Sequence, residues 1–277
     1  MTKEPRPRPP LYWQSQLLLL IVVPVSCMWI FFQTVDAWER RSPMLLQTVG
    51  ICIAFGLIVW LTRAATTPAV FTGTMMTACL YLRIPGWRTA LWPLVAMLVL
   101  TLAATRFGRS RKLELGLAES RSGRSASQVA ANLGIAALAC IPAIPTAVAL
   151  AGIAAALTEA AADTLSSELG QVFGGQPMLL TTFQPVPAGT DGGITLAGTV
   201  CGCLGAAILA VISAATFHFG LSWAAAIFSC GVLGLFVDSL LGATLERRGM
   251  LNNDAVNFLS TLISAASAAW LANRFFC

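Results

Sequence analysis

Charge is what this sequence has least of. Only 10% of its 277 residues are charged, against the roughly 25% usual for soluble domains. Positive charge is absent altogether from Ser125 to Leu245, a stretch that still carries the acids Glu159, Asp163, Glu168, Asp191 and Asp238. The chain has a single histidine, His218, which excludes a histidine metal centre. No GKS or GKT of a P-loop occurs, so a nucleotide would have to be held in some other way. Only Cys201 and Cys203 lie close together among eight cysteines; their spacing is not that of a zinc knuckle, and the cysteines read as small packing residues.

What the chain has in plenty is apolar surface. It is 57% hydrophobic with a mean hydropathy of +0.76, the composition of an integral membrane protein and not of a nucleic-acid binder. A membrane-crossing helix needs about 20 apolar residues, whereas outer-membrane strands need about half as many. Apolar runs near 11–33, 44–62, 66–82, 89–107, 128–141, 144–163, 193–215, 220–236 and 255–276 predict an all-α, polytopic helical bundle of about eight or nine transmembrane helices. The basic, proline-rich start with Lys3, Arg6 and Arg8 leads into a run lacking a small-residue cleavage site, which predicts an uncleaved first helix.

The uneven charge also predicts orientation. Of 17 Lys and Arg, 14 precede Ser125, and six lie between Arg106 and Arg124. By the positive-inside rule that loop and the N-terminus both face the cytoplasm, in a plasma or inner membrane if the cell is bacterial. The chain thus divides into N-terminal helices (1–105), a basic cytoplasmic loop (106–127) and a second helical region (128–277) whose loops return to the same face. The basic loop can serve topology alone; alternatively, Lys112 and Arg124 also contact phosphate.

An ionised carboxylate near the bilayer centre costs ~3 kcal/mol on insertion scales. Five of them without a cation in their own segments call for a neutraliser, and a divalent cation arriving with a phosphate ester supplies one. Glu159 and Asp163, four apart, share a helix face. Glu168 lies about 140° further round and joins them only if the helix bends or ends near Ser166–Ser167. The cluster Gly189-Thr190-Asp191-Gly192-Gly193 precedes a helix expected from about Ile194, and bare amides at a helix start attract anions. Small residues after Asp238 permit close approach of another helix or a ligand, and Asn252-Asn253-Asp254 with Asn257 exceed what capping needs.

Four blocks in order resemble one family: 162–170 (Ala-Asp-Thr-Leu-Ser-Ser-Glu-Leu-Gly), 187–195 (Pro-Ala-Gly-Thr-Asp-Gly-Gly-Ile-Thr), 238–246 (Asp-Ser-Leu-Leu-Gly-Ala-Thr-Leu-Glu) and 253–261 (Asn-Asp-Ala-Val-Asn-Phe-Leu-Ser-Thr). With Arg111-Lys112, Leu115-Gly116, Glu119, Gly123-Arg124 and Gln128 to Asn132 upstream, the chain resembles the family of plant and cyanobacterial phytyl-phosphate kinase and animal transmembrane protein 19. The resemblance runs from about Arg106 to the C-terminus; the first hundred residues share only a string of apolar helices. It implies a Mg²⁺-dependent membrane kinase that converts phytyl or another prenyl monophosphate to the diphosphate, with CTP as the implied nucleotide triphosphate. On that footing Asp163, Glu168, Asp191 and Asp238 hold metal, and Asp163, Asp238 and Lys112 serve catalysis. Arg124, Gly189, Thr190, Gly192, Gly193, Asn253 and Asn257 contact phosphate or nucleotide. Two alternatives stay open, a lipid-phosphate cytidylyltransferase and a cation-coupled transporter, the latter because intramembrane acids and Gly/Pro-broken helices also describe transporters.

Overall fold

A computed structural model describes residues 12–118 and 123–276. The basic N-terminal segment with Lys3, Arg6 and Arg8, and Glu119 of the upstream block, lie outside the described residues. The chain is a bundle of helices: α1 (Tyr12–Glu39), α2 (Met44–Leu61), α3 (Thr67–Arg83), α4 (Leu91–Arg106), the short α5 (Arg109–Glu114), α6 (Ala126–Leu138), α7 (Thr146–Phe173), α8 (Leu196–Phe217), α9 (Leu221–Leu241) and α10 (Asn253–Phe276). A two-residue antiparallel pair, β1 (Met178–Leu179) and β2 (Gly193–Ile194), ties the loop between α7 and α8.

The expected eight or nine crossings are corrected by helix length. Among the described residues six helices are long and apolar enough to cross a membrane, namely α1, α2, α7, α8, α9 with its extension to Glu246, and α10. The runs near 66–82, 89–107 and 128–141 do form helices, but α3, α4 and α6 have only 17, 16 and 13 residues. At 1.5 Å per residue they reach about 26, 24 and 20 Å, short of a hydrocarbon core of about 30 Å. Apolar periodicity reveals a helix without measuring how much of the run stays in it.

Helix α7 is the axis of the bundle. Every residue from Ala149 to Ala162 is buried, Glu159 included. Its alanines keep the surface narrow, and the neighbouring helices bring glycines to it. A Cβ placed on Gly198 of α8 would lie 2.6 Å from the Ser166 carbonyl oxygen, and one on Gly202 would lie 2.9 Å from that of Ala162. In α9, a Cβ on Gly231 would meet the Thr158 side chain and one on Gly234 the Glu159 side chain, each at 2.4 Å. Helix α10 is hydrogen-bonded to α7 where Ser264 Oγ donates to the Ala155 carbonyl at 3.0 Å. Nor does α7 break at Ser166–Ser167: Ser167 Oγ donates back to the Asp163 carbonyl, and the helix continues to Gly174, which has φ +77°.

Several connections converge at the end of the bundle where α7 finishes. Thr66 and Arg124 pair through backbone bonds between Ala64–Thr66 and Arg124, which places the start of α6 beside the α2–α3 connection. Ser125 and Gln128 form a reciprocal capping box at the start of α6. Gln14 of α1 donates to the Met250 carbonyl and accepts from the Asn252 amide, while Ser15 donates to Asp254, so α1 is clamped to the α9–α10 turn.

The loop between β1 and α8 is seated on the π-helical turn Gly242–Glu246 that follows α9. Gly192 has φ +70°, and a Cβ there would fall 2.1 Å from the Ala243 nitrogen. Gly116 has the same φ, with nothing within 4 Å of a built Cβ. Gly192→Ala therefore loses about 1–3 kcal/mol more stability than Gly116→Ala, the excess being steric, as checked by thermal unfolding of both variants in detergent.

Candidate functional site

A polar cavity of about 510 Å³ opens at this end of the bundle. Its wall gathers residues from six parts of the chain: Arg111 of α5, Arg124 before α6, Asp163 and Glu168 of α7, the loop Gly189–Gly193, Asp238 of α9 with Glu246 on the π turn, and Asn253 and Asn257 of α10. Of the residues singled out from sequence, Asp163, Glu168, Asp191, Asp238, Arg124, Gly189, Thr190, Gly192, Gly193, Asn253 and Asn257 all line this one cavity. Lys112 does not.

Each is positioned by a local cause. Asp163 sits one turn beyond Glu159 and is partly buried, while Glu159 lies deeper with its Oε1 lacking any hydrogen-bond partner. Asp238 accepts from Ser260 Oγ of α10 at 3.3 Å. Arg124, its backbone pinned by Ala64–Thr66, donates to Thr164 Oγ1 at 3.1 Å and so lies alongside the acidic stripe of α7. Asn252 caps α10 by accepting from the Ala255 amide at 2.9 Å, which leaves Asn253 and Asn257 to face the cavity.

Because α7 runs on unbroken past Ser167, Glu168 turns away from Asp163 toward α4 and α5. There it meets Lys112. The ammonium is buried, 2.5 Å from Glu168 Oε2, and donates also to the carbonyls of Ala104 at 2.8 Å and Thr105 at 2.9 Å. All three of its donors are thus used inside the protein. Thr105 Oγ1 donates to the other Glu168 oxygen at 3.3 Å. Lys112 holds one carboxylate of the cavity wall and closes the α4–α5 turn onto α7.

The glycine loop likewise has structural employment. The Gly193 amide donates to the Thr190 carbonyl at 2.9 Å, and Thr190 Oγ1 donates to the Pro187 carbonyl at 2.7 Å. Gly189, with φ +81°, passes so close to Leu117 that a Cβ would meet its Cδ2 at 2.4 Å. Helix α8 begins at Leu196, two residues later than expected, because Gly193–Ile194 first pairs with β1 and Thr195 then caps the helix through the Gly198 amide.

The wall also holds Glu246, Arg111 and Asn132, which the sequence does not mark as site residues. Glu246 is brought in by the π turn, which shifts it relative to an unbroken α9. Arg111 and Asn132 lie in the upstream block that carries the family resemblance, but nothing in their spacing distinguishes them from topological charge and helix polarity. Among the described residues no group of three or more His, Cys, Asp and Glu is arranged to hold a metal ion by itself. Pairs of hard carboxylate oxygens beside arginines are nonetheless the donor set that Mg²⁺ accepts when a substrate's phosphates complete its shell.

Six long apolar helices among the described residues, the buried axial α7 being one of them, define a polytopic integral membrane protein with a polar, carboxylate-lined cavity at one end. The chain belongs to the family described as integral membrane protein DUF92, whose profile matches residues 50–265. It is 32% identical over 234 residues to an uncharacterized membrane protein of Methanocaldococcus jannaschii, covering 83% of this chain and 94% of that one. An uncharacterized membrane protein of Synechocystis is 35% identical over 193 residues, 66% of this chain and 73% of its own. The chloroplastic protein VTE6 of Arabidopsis thaliana is 29% identical over 186 residues, 62% of this chain and 55% of its length. No solved structure matches the chain significantly.

The Lys112–Glu168 pair yields a stability prediction. Lys112→Met strands Glu168 in a largely buried setting and costs about 3–5 kcal/mol, whereas Lys112→Met combined with Glu168→Leu recovers most of that loss. Denaturation of the two variants in detergent checks it; equal losses would mean that the pair is not energetically coupled.

Proposed function

We propose that this protein is a membrane isoprenyl-phosphate kinase, transferring a phosphoryl group from a nucleotide triphosphate, CTP in the first instance, to phytyl or another prenyl monophosphate. The observation that carries the reading is the one cavity that five carboxylates, those of Asp163, Glu168, Asp191, Asp238 and Glu246, line together with Arg111 and Arg124 at one end of an apolar bundle. The sequence blocks that resemble phytyl-phosphate kinase supply just these residues, and the similarity to chloroplastic VTE6 adds support.

The roles follow from charge. Asp163 and Asp238 would hold Mg²⁺ together with the donor phosphates, with Asp191 on the same cavity wall, while Glu168 stays engaged by Lys112. Bound there, Mg²⁺ neutralises negative charge on those phosphates. Arg124 would orient the acceptor phosphate, and Asn253, Asn257 and the Gly189–Gly193 loop would contact the nucleotide. Lys112 would act by fixing Glu168. An oxygen of the acceptor monophosphate attacks the terminal phosphorus, the bond to the bridging oxygen breaks, and a nucleoside diphosphate leaves. The acceptor is already ionised, so no general base is required. By the positive-inside rule this face would lie in the cytoplasm, where nucleotide is available.

The test uses purified protein with Mg²⁺ and phytyl or geranylgeranyl monophosphate, offering each nucleotide triphosphate with label at the terminal phosphate. Labelled prenyl diphosphate is expected, and Asp163→Asn and Asp238→Asn each lower kcat on the order of a hundredfold. Transfer of label from the α-phosphate would instead establish cytidylyl transfer, and no product from folded protein would overturn the enzyme reading.

Glu159 favours a second reading, a cation-coupled transporter, since its Oε1 is buried in mid-helix without a partner. The two part at Glu159→Gln, which abolishes ion-coupled flux in a transporter and leaves a kinase within a few fold of normal turnover.

A further inference from the structure

A second cavity, of about 500 Å³, lies beside the first and is of different chemistry. It is enclosed by α2, α3, α4 and α6. Phe55, Val59, Gly73, Leu94, Met97 and Leu133 line its apolar part, and Arg63, Arg106, Arg109 and Arg124 stand at the other end. Residues of α4 line it from Leu94 to Arg106, a depth of about 18 Å at 1.5 Å per residue, which is more than half of a ~30 Å hydrocarbon core. Arg124 and Asn132 belong to the walls of both cavities. Thr105, on the apolar side, is hydrogen-bonded to Glu168 on the polar side.

We propose that this second cavity is the binding site for a single-tailed phosphate amphiphile. The apolar chain lies along α4 between α2 and α3, and the phosphate sits among Arg63, Arg106, Arg109 and Arg124, at the wall shared with the carboxylate cavity. Four guanidinium groups around one mouth match a dianionic head and no neutral one. The apolar lining, which includes the buried Phe55 and Met97, matches a hydrocarbon tail. The shared wall brings the head to the carboxylate cavity without requiring the tail to enter polar space. In the kinase reading, on which the identity of this ligand as the acceptor rests, the two cavities are the acceptor and donor subsites, and tail length is sensed by Gly73 and its neighbours. A Cβ on Gly73 meets nothing nearer than Val129 Cγ1 at 3.6 Å and Phe55 Cε1 at 3.8 Å. A larger side chain at Gly73 is therefore accommodated only by taking cavity space.

The experiment measures binding, without nucleotide, of geranyl, farnesyl and geranylgeranyl monophosphates to the full chain in nanodiscs, with farnesol and inorganic phosphate as single-feature probes. Wild type binds the three prenyl phosphates, and each single-feature probe at least about tenfold more weakly, since head and tail both contribute. Gly73→Leu weakens geranylgeranyl monophosphate about tenfold and leaves geranyl monophosphate within about twofold, whereas Gly73→Ala keeps the wild-type preference. Arg106→Gln weakens all three chain lengths alike. Unchanged chain preference in Gly73→Leu overturns the proposal, as does inorganic phosphate binding as tightly as the prenyl phosphates. Independently of any variant, a photoreactive group at the tail end labels α2 or α4 peptides in the wild-type protein; labelling confined to other helices overturns the assignment. Should this pattern hold while no nucleotide transfers phosphate, the kinase reading falls and the amphiphile site stands. Should transfer occur without the chain-length effect, the reverse is true.

Discussion

The constraint on which the rest of the structure depends is the burial of an acidic helix. Helix α7 carries Glu159, Asp163 and Glu168 along ten residues in a segment with no cation of its own, and it is enclosed on all sides over most of its length. Carboxylates so placed must be reached by partners from elsewhere or stay uncompensated. Each is treated differently. Glu168 is met by Lys112, Asp163 lies on the open polar wall near Arg124, and Glu159 keeps one oxygen without a partner. The gradient from satisfied to unsatisfied runs from the cavity's edge into the bundle.

Close packing around α7 makes that gradient possible. Glycines at 198 and 202 bring the α8 backbone against the backbone of α7, while those at 231 and 234 in α9 leave room for the Thr158 and Glu159 side chains of α7. The same economy recurs at the loop, where Gly192 rests on Ala243 and draws Asp191 and the π turn with Glu246 to one wall. Small residues therefore shape this site twice. They let the axial helix be surrounded, and they let a loop close over its end.

The two cavities divide the chemistry of an amphiphile between them. One is polar, lined by carboxylates, amides and two arginines; the other is apolar for most of its depth and ringed by arginines at its mouth. Arg124 stands between them because its backbone is bridged to the α2–α3 connection while its side chain reaches Thr164 of α7. An interaction between residues sixty apart in sequence thus joins the N-terminal helices to the acidic half of the chain.

Much of this was legible in the sequence by itself. Composition determined a helical membrane protein, the charge asymmetry marked the basic loop, and the acids, glycines and asparagines of the four blocks were recognisable as one set. Composition and charge are local properties, readable from residue type and spacing, whereas the four blocks read as one set through their family resemblance. Three things only the tertiary structure decided. Helix lengths cut eight or nine expected crossings to six among the described residues, because hydropathy does not register where a helix starts and stops. Lys112, which looks like any cation of a basic loop, is buried against Glu168 because the α4–α5 turn folds it inward. The glycines of the 189–193 loop turn out to be shaped by contact with Leu117 and Ala243, residues more than fifty positions away in the chain. Residue type announces that a charge or a glycine needs a reason; only the packing of distant segments says which neighbour supplies it.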